Sequence, residues 1–156
     1  MKVLGKHGMS GFVEWIIYGI FIGGMGIWLS LPWSLPWVIK TIKPQYANDN
    51  AFFYFMLVFL YITGVFALWI VWEIKKFFRS INQNTPFIYE NVDAFKKIGY
   101  CSFIIACCYI VKIITYPTIL TIVITMIFMI AGCFGIVVAE VFRQAVDAKC
   151  ENDLTI

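Results

Sequence analysis

Ile74–Tyr100 reads IKKFFRSINQNTPFIYENVDAFKKIGY. It is the one long polar interval between blocks of nearly pure hydrocarbon. It holds five of the twelve basic residues of the chain: Lys75, Lys76, Arg79, Lys96 and Lys97. Two long apolar runs precede it and two follow it. A polar stretch so placed reads as the cytosolic hinge of a membrane protein. The expected fold is an all-α integral membrane protein: four transmembrane helices in an up-down bundle with amphipathic cytosolic extensions.

Composition points the same way. The chain is 62% hydrophobic and only 13% charged, with a mean hydropathy of +0.84. Soluble domains carry about 45–50% apolar and about 25% charged residues. A soluble fold of 156 residues has no interior large enough for this hydrocarbon, so lipid must solvate much of the surface. The length leaves no room for a separate soluble domain beside four spans. The net charge of +3 is small, and the basic residues stand at the borders of apolar runs. Direct nucleic-acid binding is therefore not expected. Of five cysteines, Cys101, Cys107, Cys108 and Cys133 fall inside apolar runs, where cysteine acts as a small hydrophobe. No CxxC pair occurs, so neither a disulfide framework, a metal site nor a cofactor is expected. Cys150 reads as a free thiol in a reducing compartment.

The first apolar run is Phe12–Leu31, closed by Pro32. Twenty residues at about 1.5 Å each reach roughly 30 Å, the thickness of the hydrocarbon layer. It reads as a retained span, because it is long for a signal sequence and no cleavage site follows it. Gly19 and Gly23 form a GxxxG, which predicts close helix packing inside the protein or against a second copy. In the connector that follows, Pro32, Pro36 and Pro44 are expected to prevent one continuous helix. Trp33, Trp37 and Tyr46 suit the headgroup layer, and Leu35–Ile42 is expected to lie along the membrane surface. The second span, 52–73, runs into an amphipathic exit helix reaching about Gln83, with Ile74, Phe77, Phe78 and Ile81 on its apolar face. Thr85 is expected to cap the next helix, with Pro86 at its first position. The third and fourth spans, 98–116 and 118–141, form a tight antiparallel hairpin at Pro117. Thr115, Thr118, Thr121 and Thr125 cluster there and are expected to bond back to carbonyls one turn earlier. The hinge is thus 74–97 and the tail 142–156, helical to about Lys149 and then frayed.

Orientation follows from charge. With the N-terminus inside, Lys2, Lys6, the five hinge residues, Arg143 and Lys149 are cytosolic, and only Lys40, Lys43 and Lys112 face out. Nine against three predicts a multi-pass membrane protein with both termini cytosolic.

Few residues offer chemistry. Glu14, Glu73 and Glu140 fall at the cytosolic ends of spans, at the depth of Arg143 and the hinge lysines. A structural ion-pair layer is the expected role, with a cation or proton entry site as its rival. Lys112 is the one charge well inside an apolar run, five residues before Pro117. It is expected to snorkel outward, unless it meets an anionic ligand or partner. The only histidine, His7, precedes the first span. No HExxH, GxSxG or phosphate-cradling loop is present, so no catalytic residue is assigned and an enzyme is not expected.

Two segments together carry a resemblance. One is Asn84-Thr85-Pro86-Phe87 with Asn91 and Phe95-Lys96-Lys97-Ile98-Gly99. The other is Val141-Phe142-Arg143-Gln144-Ala145 followed by Glu151-Asn152-Asp153-Leu154-Thr155-Ile156. Set around four spans, they resemble the bacterial family called domain of unknown function 2975, over nearly the whole chain. The family pattern has a glycine where Thr85 stands. The resemblance implies no catalytic activity. It implies a membrane sensor or anchor for a very short helix-turn-helix regulator, of the kind beside which such proteins are often encoded. The expected contact surface is Thr85, Pro86, Phe87 and Asn91 of the hinge with Asp153, Leu154 and Ile156 of the tail. The alternatives are a small transporter or channel-like subunit, assembled as a homo-oligomer through Gly19 and Gly23, and a lipid- or stress-sensing helix bundle.

Overall fold

The computed structural model describes the backbone of residues 9–83 and 85–154 and the side chains of 13–83 and 85–152. Lys2, Lys6, His7 and Ile156 lie outside the described residues, as do the side chains of Asp153 and Leu154. Four helices follow one another: α1 Met9–Ile42, α2 Asn50–Asn82, α3 Tyr89–Thr115 and α4 Ile119–Leu154. A single 3-10 turn, Pro44–Tyr46, lies between the first two. No strand occurs among the described residues. All four helices are long and apolar enough to cross a membrane. A span needs about 20 residues, whereas α2 has 33 and α4 has 36. The surplus of each is the polar extension expected beyond Trp72 and beyond Val141. The tail remains helical to Leu154, further than the expected fraying at Lys149.

The prolines do not end the first helix. Pro32 and Pro36 both lie inside α1. Proline removes one donor and crowds one carbonyl. In hydrocarbon, however, an open backbone has no water to bond, so the remaining helical bonds are kept. Leu35 and Ile39 accordingly do not lie along the surface; they are buried against Phe52 and Met56 of α2.

That contact fixes the antiparallel register of α1 on α2. Trp28 Nε1 donates to the Tyr61 carbonyl at 3.2 Å, and its ring lies over Gly64, where an added Cβ would meet it at 2.5 Å. The Phe21 and Trp72 rings are 5.7 Å apart. The apolar run of α2, Phe52–Trp72, thus lies opposite Phe21–Ile39 rather than Phe12–Leu31. The first turns of α1 lie beside the charged extension of α2.

Close backbone packing runs in chain order, α1 on α2, α2 on α3 and α3 on α4. The α3–α4 seam is built on glycine. A Cβ at Gly135 would stand 2.9 Å from the Gly99 nitrogen and 3.0 Å from its Cα. A Cβ at Gly132 would strike the Phe103 ring at 2.9 Å. Gly19 and Gly23 behave oppositely: nothing lies within 4 Å of a Cβ placed on either. The expectation that they pack inside the chain is corrected, since the register turns them away from α2. Gly24, which touches Leu68 at 3.2 Å, faces it instead.

Of the threonines expected to bond back one turn, Thr115 and Thr125 do so, while Thr118 reaches only the Tyr116 carbonyl, at 3.5 Å. Thr63, Thr115 and Thr125 donate to carbonyls four residues back at 2.8, 2.7 and 2.8 Å. At the connector end Tyr116 packs edge-on to Tyr46 and Phe52. Asp49 caps α2 there, accepting from the Ala51 and Phe52 amides at 2.9 and 3.2 Å.

Candidate functional site

The charged end is where the extensions of α2 and α4 meet the start of α3. At its centre is a short buried network. The Ser80 hydroxyl donates to the Thr85 carbonyl at 2.6 Å. The Asn91 amide donates to Ser80 Oγ at 2.8 Å and to the Pro86 carbonyl at 2.6 Å. A turn that leaves one helix and enters the next strands several backbone groups; two of these bonds satisfy the Thr85 and Pro86 carbonyls, and the third ties the two side chains together. Thr85 is therefore no cap. The residue before the first helical turn of α3 is Ile88, without any side-chain cap bond. The helix starts at Tyr89 because Asn91 reaches back across the turn and holds Pro86 outside it. Asn91 is buried, so it supports the hinge from inside and does not belong to an outer contact surface. Thr85 and Phe87 are exposed and Pro86 partly so.

Around this network lies an aromatic cluster. Phe77 of α2 meets Phe95 of α3 at 4.9 Å and Phe142 of α4 at 5.6 Å. Phe87 joins Phe142 at 5.9 Å. Val92, Ala139 and Val146 are buried beside it, and the Tyr89 hydroxyl donates to Asp147 Oδ1 at 2.7 Å. Helix α4 is thereby tied to the hinge beyond the last apolar residue of its span. The periodicity of the exit helix pointed to Phe77 as part of an apolar face. Ser80, Tyr89 and Asp147 had no signal in the sequence, because each matters through a partner far away in the chain.

The three glutamates do share this end, but as separate arrangements. Glu14 accepts from the Asn82 amide. Glu140 pairs on its own helix with Arg143 at 2.6 Å, both exposed. Glu73 alone is buried, its side chain only 4% exposed. It accepts from Trp69 Nε1 at 3.2 Å and from Lys76 at 3.2 Å, and Lys97 of α3 stands 3.9 Å away. A buried carboxylate without such partners would be costly, so this cluster holds α2 to α3. The expected continuous layer is thus one buried centre with two outlying pairs. Lys75 lies over the Tyr18 and Trp72 rings at 3.9 and 4.7 Å.

Lys112 belongs to neither group. Its ammonium lies 5.1 Å from the Phe59 ring centre and 5.6 Å from that of Tyr109. Among the described residues no carboxylate comes within 4 Å of it. The two rings supply the attraction that a counter-ion would otherwise give. Among the described residues no three metal-ligating side chains come together.

The charged end is thus a folded platform of helix ends, ionic side chains and exposed rings. Comparison with known proteins agrees with a membrane setting. The chain is 29% identical over 152 residues to the uncharacterised membrane protein YoaS of Bacillus subtilis (strain 168), covering 90% of this chain and 92% of that one. No solved structure matches it. A family described as protein of unknown function (DUF2975) matches residues 36–156, which takes in the hinge, the Glu73 cluster and the tail. The chain belongs to the DUF2975 family.

Proposed function

We propose that this membrane protein is a non-enzymatic regulator or anchor, whose charged end faces the cytosol and holds a small helix-turn-helix transcription regulator. The observation that carries the reading is the hinge itself. Phe87 and Tyr89 are 45% and 55% exposed, beyond the apolar runs, on a turn locked by Asn91. Large rings fixed on a rigid polar platform are the kind of group that anchors a protein contact. The family resemblance supplies the class of partner, and the positive-inside distribution supplies the orientation in a bacterial plasma membrane. A homo-oligomer is the second reading, supported by the open face at Gly19 and Gly23.

The test is photocrosslinking in cells from position 87 and position 154, with position 114 as control. Ile114 is strongly exposed but at the opposite end. Capture of a small helix-turn-helix protein from 87 or 154, and not from 114, supports the reading. Capture of this chain alone from all three overturns it in favour of the oligomer.

A further inference from the structure

We propose that the Glu73 cluster heads a binding site for one phospholipid with an anionic headgroup. A groove of about 470 Å³ opens between α1 and α2, with Lys76 and Lys97 at its charged end. Phe21, Met25, Val65, Leu68, Trp69 and Trp72 form its walls. From Val65 to Lys76 the groove follows twelve residues of helix, about 16 Å end to end at 1.5 Å per step. That is close to one leaflet of a hydrocarbon core about 30 Å thick. The apolar walls therefore match one acyl chain, with its headgroup level with the lysines.

Charge selects the headgroup. Lys76 and Lys97 both lie within 4 Å of the same Glu73 oxygen, at 3.2 and 3.9 Å. One carboxylate neutralises one ammonium, so the cluster keeps a net charge of +1. Glu73 is buried while the two lysine side chains remain 52% and 51% exposed. Their free sides carry that surplus charge to the groove mouth, where a phosphate can accept from both. Lys75 is engaged with the Tyr18 and Trp72 rings and closes the neighbouring surface. This site is independent of any soluble partner.

The experiment is native mass spectrometry of the whole chain, purified in detergent with equimolar phosphatidylglycerol and phosphatidylcholine. One retained lipid is expected, with phosphatidylglycerol favoured about fivefold, the effect of one net charge at the surface. K76Q/K97Q leaves the carboxylate's charge of −1 and brings the preference below one, whereas K97Q, with no net charge, brings it to about one. E73Q, which frees both lysines, raises it. Should the double variant fail to fold, K97Q alone tests the same point and also cancels the net charge. Equal retention of both lipids by the natural chain overturns the proposal, leaving annular lipid only. A preference unchanged in K97Q, or lowered in E73Q, overturns it too.

Discussion

Asn91 shows how a single polar side chain can organise a turn. Its amide makes two hydrogen bonds, to Ser80 Oγ and the Pro86 carbonyl, and it is buried. Asn91→Leu leaves the Pro86 carbonyl without that donor and removes the link to Ser80. The expected loss is about 1–3 kcal/mol, the usual cost of a buried polar group left unpaired. It would be read as a lower unfolding midpoint in detergent. Asn91→Asp should fare no better, since an ionised carboxylate has no donor to offer Pro86. Thr85→Gly, by contrast, should shift the midpoint little, because the Thr85 side chain makes no cap and its carbonyl bond to Ser80 survives.

At the scale of elements, two pairs of glycines in similar apolar runs have opposite surroundings. Gly99 and Gly135 let the α3 and α4 backbones touch, while Gly19 and Gly23 have nothing within 4 Å of a Cβ. Gly135→Val must therefore push the helices apart. A loss of about 1–3 kcal/mol or more is expected, as for overpacked cores, again measured as thermal unfolding in detergent. Gly23→Val should leave the single chain's stability within about 0.5 kcal/mol, the range of surface substitutions. Should Gly23→Val instead abolish a dimer seen by crosslinking, the open face of α1 would be a subunit contact. Helix α1 itself tolerates Pro32 and Pro36, since the lipid-facing backbone has no alternative to its own helical bonds.

For the whole molecule, the question is which way the charged end points. The proposed orientation places Cys150 in the cytosol and the connector around Gln45 outside. Both positions are exposed. In a variant lacking the four span cysteines, a membrane-impermeant maleimide should label Cys150 only after permeabilisation. Gln45→Cys should react in intact cells. The reverse pattern would invert the topology and place the hinge platform, with any partner it holds, on the outer face.

The sequence by itself determined the number of spans, the position of the hinge, the helical extensions beyond Trp72 and Val141, and the membership of the family. The first three follow from hydrocarbon length and helical period, which are local properties that one stretch expresses alone; the family resemblance rests instead on the hinge and tail motifs, residues 84–87 and 141–145. Only the tertiary structure decided the rest. It showed that α1 pairs Phe21–Ile39 with α2, that Gly99 and Gly135 and not Gly19 and Gly23 make the close seam, and that Lys76 and Lys97 share Glu73. Each depends on the register and rotation of one helix against another. In lipid every apolar face is equally comfortable against solvent, so hydrophobicity does not select the buried side. Close packing and a few buried polar bonds select it, and those exist only once two distant segments have met.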